Sequence, residues 1–350
     1  MKFGVLHLFE SPMGRDDREM VNEQISLMQA AEAYDFDSIW PAEHHFSEYG
    51  VCASPAVTLA ALASQTERIR LGTGVVVLPL HHPVRVAEEF ALLDILSGGR
   101  VELGLGRGYQ PAEFRGYGVD QTRSRELFDE SLEVILRAWR NERLSFHGTH
   151  YHFEDVPVRP RPVQVPHPPV WMAALSEESF EKAGRLGLNL LFSPVFGGSL
   201  QVAADQFKRY RDALDRAGYD PETREVGALV MVYAGRTQEQ AREEFAPSVH
   251  WYLRTYSERV APHVGEPAIK GYENYTLLRD VTKVLQWDQL LQVGAAICGE
   301  VDYVTERIAE IGERVGVSTL LCWTRMGGLP TELVLAHMGA MRDHVMPALR

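Results

Sequence analysis

Within Asp37 to Gly50, DSIWPAEHHFSEYG, a short apolar run leads straight into Glu43, His44 and His45. A carboxylate beside two imidazoles supplies groups that take up, hold and release protons near neutrality. A second pair, His81 and His82, follows another apolar run in LGTGVVVLPLHHPVR. So many imidazoles beside a carboxylate raise the question of a metal centre. Adjacent residues in an extended segment, however, point to opposite sides, so each pair offers one easy ligand, too few for the geometry metals demand. No metal is expected. His44 is the candidate catalytic acid or hydrogen-bond donor, and Glu43, His45 and His81 are expected to be structural supports.

A different chemistry is written in GRVELGLGRGYQPAEFRGYG, where Gly104, Gly106 and Gly108 flank Arg107. The stretch lacks the third glycine and the immediate helix of a dinucleotide fingerprint. A guanidinium with little side-chain bulk around it suits a phosphate or a carboxylate. Further on, Leu175-Ser176-Glu177-Glu178-Ser179 reads as the N-cap of a helix;. Two hydroxyls one turn apart at the positive end of a helix can form an anion site, although plain capping accounts for Ser176 equally well. Together with Arg107, and with Arg125 at the start of another helix, they outline a pocket for a phosphorylated cofactor. Gly72 and Gly74 inside an apolar run mark either the approach of a ligand or tight packing.

These residues need elements to hold them. Buried-strand candidates are Phe3 to Phe9, Asp37 to Trp40, Ile69 to Leu78, Val101 to Leu105, Val170 to Ala173, Asn189 to Ser193, Val226 to Ala234 and Thr319 to Trp323. Segments of helical period separate them, among them Arg18 to Tyr34, Val84 to Leu96, Arg123 to Arg140, Glu177 to Leu186, Gln238 to Phe245 and Val301 to Val315;. Without a dinucleotide fingerprint after the first strand, this alternation predicts a closed (β/α)8 TIM barrel in one domain over residues 1–350, with chemistry at the C-terminal strand ends. Two insertions interrupt it: a β-hairpin with a proline-rich connector over 143–169, turning near Gly148, and an aromatic, lid-like stretch over 249–292;.

Composition excludes several partners. A formal charge of −13 works against nucleic acid and anionic membranes, and no segment approaches the ~18 apolar residues of a membrane span;. The first residues, MKFGVLHLFESP, are too short in apolar run for a signal peptide and read as a strand;. Cys52, Cys298 and Cys322 are odd in number and widely spaced, which fits a reducing cytoplasm and no disulfide framework;. A small-molecule substrate is expected.

In order, spacing and residue type, EHHFSEYG, then GTGVVVLPLHHPVRVAEEFALLDILSGGRVELGLGRGYQPAEFRGYGVD, then Ser124-Arg125, the chain resembles the bacterial luciferase-like flavin-dependent monooxygenases from about Met1 to Arg140. The resemblance is looser from Val170 to Pro194 and returns in Gly327 to Pro330 and in the terminal HVMPAL. It implies a TIM barrel that binds reduced FMN, supplied by a separate flavin reductase, reacts it with dioxygen through a flavin hydroperoxide and oxygenates a small organic substrate. It places His44 as the active-site histidine and a non-prolyl cis peptide at Gly74-Val75 beneath the flavin ring. Arg107, Arg125, Ser176 and Ser179 match phosphate contacts, and Leu175, Ser193 and Pro194 fall where the family lines the flavin. Gly106 stands where the luciferase catalytic subunit carries a cysteine beside the flavin, Leu175 replaces an acidic residue and Pro194 a tryptophan, which favours an oxygenase over a light emitter. The resemblance also implies a homodimer. The alternatives are a deazaflavin-dependent hydride-transfer enzyme and a catalytically silent flavin-binding subunit. Retention of His44 and the phosphate residues argues against the silent subunit. The lid aromatics, Trp251, Tyr252, Tyr256, Tyr272, Tyr275 and Trp287, do not disclose the substrate.

Overall fold

Among the described residues twelve strands follow one another: β1 (Lys2–His7), β2 (Ser38–Pro41), β3 (Arg70–Gly72), β4 (Val76–Val77), β5 (Val101–Gly106), β6 (Leu144–His147), β7 (His152–Val156), β8 (Val170–Ala173), β9 (Asn189–Phe192), β10 (Val226–Gly235), β11 (Ala296–Glu300) and β12 (Thr319–Cys322). In this computed structural model the described residues are 1–194, 200–260, 269–270, 272, 275, 279–280, 282 and 285–350. The parallel strands run β1, β2, β3, β5, β8, β9 around the sheet, and β9 pairs with β10, β10 with β12 and β12 with β1. That circuit closes the expected (β/α)8 TIM barrel.

The barrel floor is set by large rings against missing side chains. Trp40 and Trp171 meet edge to face at 5.4 Å, and the Trp171 indole N–H donates to Glu102 Oε2 at 2.6 Å. A Cβ on Gly72 would lie 2.3 Å from the Trp40 ring, so this glycine answers to packing. Both tryptophans are buried, and truncating either is expected to cost about 3–5 kcal/mol;.

Three expectations need correction. The third strand, expected over Ile69 to Leu78, is broken between Gly72 and Val76. There the Thr73 hydroxyl donates to the Gly104 carbonyl at 2.7 Å and accepts the Gly104 N–H at 2.9 Å, replacing the backbone ladder, and the Gly74-Val75 peptide is cis. The second correction concerns the helix expected to end at Phe245. It runs from Gln238 to Thr255 straight through Pro247, and a π-helical turn, Tyr256–Val260, follows. Its buried stripe of Ala241, Phe245, Val249, Tyr252 and Leu253 outweighs the roughly 3 kcal/mol that an interior proline costs;. The expected lid over 249–292 therefore begins as helix, and most of 261–284 lies outside the described residues. Third, β11 went unread in the sequence; it extends the far half of β10, Met231 pairing with Ala296 and Gly235 with Glu300.

The hairpin is present, β6 against β7, closed by the Gly148 N–H on the Tyr151 carbonyl at 2.9 Å. Among the helices, α1 (Asp17–Ala33), α2 (Pro55–Ala63), α3 (Pro83–Leu96), α4 (Pro111–Gly116), α5 (Ser124–Arg140) and α6 (Glu177–Arg185) frame the first six barrel strands. Asp16 caps α1 by accepting the Glu19 N–H at 3.0 Å, and Ser54 caps α2. Among the described residues no helix is long and apolar enough to cross a membrane. All three cysteines are buried free thiols.

Candidate active site

The strand ends surround a cavity of about 360 Å³. Ten of the expected site residues line it, His44, Gly74, Val75, Gly106, Arg107, Arg125, Leu175, Ser176, Ser179 and Ser193, whereas Pro194, also expected along the flavin, is not part of the lining. The chain thus brings together residues from the loop after β2, the break between β3 and β4, the end of β5, the start of α5, the start of α6 and the residue after β9. Gly106 has a steric reason to be glycine, because a Cβ there would lie 2.5 Å from Val75 Cγ2. Gly74 and Gly106 together leave the wall between them almost without side chains.

His44 is held from one side. Its Nδ1 lies 2.7 Å from Gln110 Nε2 and 3.1 Å from Glu113 Oε1, and both partners are buried. When the ring is neutral, Nδ1 accepts from the Gln110 amide; when it is protonated, Nδ1–H donates to the Glu113 carboxylate. Both protonation states are served at Nδ1, which leaves Nε2 as the nitrogen available to the cavity that His44 lines. Glu113 Oε1 also accepts the His45 N–H at 3.0 Å, tying the loop after β2 to α4.

The other histidines turn away, as supports. Glu43 Oε1 lies 2.9 Å from His45 Nε2 and 2.7 Å from His81 Nε2, and its Oε2 accepts the Val77 N–H at 2.8 Å. Burial opposes the charge on Glu43, but the hydrogen bonds from His45, His81 and Val77 hold its carboxyl below the ordinary value. Burial likewise works against the charge on His81, and the Glu43 carboxylate more than reverses it, raising the imidazole. His82 is exposed and packs edge-on against Tyr151 and Phe153 of the hairpin.

Part of the lining is ionic. Arg125, in the first turn of α5, pairs with Glu178, and Lys182 pairs with Asp129. Arg107 lies with its guanidinium 4.2 Å from the Tyr272 ring centroid. The serines form a capping box. Ser176 Oγ accepts the Ser179 N–H at 3.3 Å, and Ser179 Oγ accepts the N–H groups of Leu175 at 3.1 Å and Ser176 at 3.0 Å. Capping is therefore what these hydroxyls do in the structure, and it fixes the positive end of α6 beside three cationic side chains. Ser193 donates to the Leu229 carbonyl at 3.3 Å.

Several cavity residues were not legible in the sequence: Glu113, Lys182 with its partner Asp129, and the phenols Tyr49 and Tyr109; nor was Gln110, which holds His44 Nδ1. Tyr252 and Tyr275 were noted only as lid aromatics, yet both line the cavity. Tyr256 packs 6.4 Å from Tyr49 and 6.3 Å from Tyr109, Tyr272 lies on Arg107, and Trp287 packs against Phe245. For Gln110 a signal existed, since it lies three residues after Arg107 at the end of β5.

A closed parallel barrel with a proton-holding histidine and a cationic helix-start rim at its C-terminal mouth defines a TIM-barrel enzyme. Residues 1–319 match the model of the luciferase-like monooxygenases, and the chain belongs to that family; it is a monooxygenase. It is 27% identical over 358 residues to the alkanal monooxygenase alpha chain of the Kryptophanaron alfredi symbiont, covering 100% of this chain and 99% of that one. It is 29% identical over 245 residues to the oxygenase component of the flavin-dependent trigonelline monooxygenase of Acinetobacter baylyi, covering 69% of this chain and 67% of that one. Among solved structures it is similar to the monooxygenase RslO1 from Streptomyces bottropensis, with a TM-score of 0.86, 28% identity and 100% coverage of both chains.

Proposed function

We propose that this chain is the oxygenase component of a two-component FMN-dependent monooxygenase. The observation that carries the proposal is one cavity lined together by the cationic residues at the start of α6, by the glycine-bare wall of Gly74, Val75 and Gly106, and by His44. That layout suits a flat ring system with a phosphate tail. Relatives named as an alkanal monooxygenase and as the oxygenase component of a flavin-dependent enzyme support it.

Arg107, Arg125 and Lys182 would hold the phosphate, with the capped start of α6 adding its positive end. The ion pair of Arg125 with Glu178 would have to open or shift toward the phosphate. Val75, Leu175 and Ser193 would flank the ring, and Gly106 leaves it space. Reduced FMN, delivered by a separate flavin reductase, supplies two electrons; one oxygen atom of O2 goes to the substrate and the other leaves as water. His44 holds a proton on Nε2 at the reacting end, and Glu113 and Gln110 keep the ring aimed in either charge state. The apolar lining from Leu6, Leu8, Met172, Leu191 and Trp323 excludes water;. Buried free thiols are consistent with a cytoplasmic home;. A homodimer is proposed from the family resemblance alone, and sedimentation of the pure chain tests it.

The proposal is tested by titrating the chain with FMN, riboflavin and a deazaflavin. FMN should bind tightest, and riboflavin should lose the contribution of the phosphate end. Equal binding of FMN and riboflavin would remove the phosphate assignment, and preference for the deazaflavin would favour hydride transfer without oxygen.

A further inference from the structure

The reacting end of the cavity is built of phenols. Tyr49 Oη lies 2.9 Å from Tyr109 Oη and 2.6 Å from Tyr252 Oη, so three hydroxyls from three separate elements form one chain of hydrogen bonds. Its rings start at His44, which meets Tyr49 edge-on at 4.9 Å and Tyr109 at 6.0 Å. Tyr275 stacks on Tyr109 with 5.0 Å between centroids and 2° between planes, and Trp323 meets Tyr252 edge-on at 4.3 Å. Tyr49, Tyr109, Tyr252, Tyr275 and Trp323 all line the cavity.

From this arrangement we infer that the substrate is an uncharged aromatic molecule carrying a hydroxyl or carbonyl oxygen, bound in the cavity beside His44 with that oxygen on the Tyr49-Tyr109-Tyr252 hydroxyl chain. The inference rests on the flavin reading above for what happens to that substrate, but not for its recognition. Ring walls favour a flat π surface through offset and edge contacts. Burial raises all three phenols well above their ordinary value, so they stay neutral hydroxyls. With Tyr109 donating to Tyr49 and Tyr49 to Tyr252, the Tyr252 O–H is left to donate to a bound oxygen while both internal bonds are kept;. An aliphatic chain would gain neither the ring contacts nor the hydrogen bond. A carboxylate would find the cavity's cations already engaged, Arg107 on the Tyr272 ring, Arg125 with Glu178 and Lys182 with Asp129.

Calorimetric titration of the chain, with and without FMN, by 2-naphthol, naphthalene and decanal tests this. Naphthol should bind at least tenfold more tightly than either comparison probe. Tyr49→Phe and Tyr252→Phe, which keep the rings, should each cut naphthol affinity at least fivefold while leaving naphthalene binding and FMN affinity unchanged. Decanal binding as tightly as naphthol, or phenylalanine variants that bind naphthol like the parent, would overturn the inference. Because the panel is also run without flavin, loss of FMN binding would count against the cofactor assignment and leave the probe preference readable. Circular dichroism of each variant confirms that the fold is kept.

Discussion

His44 Nδ1 and Glu113 Oε1 lie 3.1 Å apart, both buried, on the loop after β2 and on the short helix after β5. The carboxylate that receives the ring also receives the His45 N–H, so ring and backbone are fixed by one group. Replacing His44 by Ala should leave FMN affinity within about twofold and reduce product per reduced flavin by about 10²-fold or more, the range of a lost acid-base group. Glu113→Gln keeps the size but weakens the hold on a protonated ring, and a loss of roughly tenfold in coupled product, with normal FMN affinity, is expected. Product yield and peroxide release, measured side by side, check both. Unchanged product from His44→Ala would remove the residue from the mechanism.

Gly106 is paired sterically with Val75. A side chain at 106 must displace the Val75 methyl it would meet at 2.5 Å, so Gly106→Ala should weaken FMN binding about tenfold;. Adding Val75→Ala makes room and should restore most of that loss. A double-mutant cycle by flavin fluorescence reads the coupling; strict additivity would show that the two positions do not share the flavin wall.

The cationic end carries its own carboxylate competitor. Glu178 neutralises Arg125 where a phosphate would lie, so Arg125→Ala should weaken FMN binding and Glu178→Gln should strengthen it severalfold;. Neither change should alter riboflavin binding. Equal effects on FMN and riboflavin would place Arg125 elsewhere than at the phosphate.

Stability should fall as pH rises through a window set by Glu10. This carboxyl is fully buried behind the cavity, and burial pushes it from 4.5 up to about 8, against the opposing hydrogen bond from the Gly327 N–H at 2.7 Å. The folded protein keeps the proton that the unfolded chain releases, so Glu10 lowers stability progressively between about pH 4.5 and 8;. Glu10→Gln keeps an acceptor for Gly327 and should flatten that slope. Thermal melts at pH 5 and pH 8.5 check it, and parallel declines in parent and variant would contradict it.

Much of the barrel was legible because buried parallel strands write continuous apolar runs, and all eight expected strands have a counterpart. The misses have local causes. Thr73 diverts the third strand through its hydroxyl, a tertiary contact no period reveals. Pro247 reads as a breaker, yet a buried stripe carries the helix past it and brings Tyr252 to the cavity. His44 and Arg107 were readable from their place after strand ends, and Arg125 from its place at the start of a helix. Glu113 and the phenols acquire their meaning only from long-range packing, with 203 residues separating Tyr49 from Tyr252.

The most direct test mixes the anaerobic chain, loaded with reduced FMN, against oxygenated buffer in a stopped-flow instrument. Return of oxidised-flavin absorbance and release of peroxide are followed together. Binding as proposed predicts that both are delayed at least tenfold relative to free reduced FMN, and that His44→Ala shortens the delay. Reoxidation and peroxide release at the rate of free flavin would contradict an FMN-dependent oxygenase.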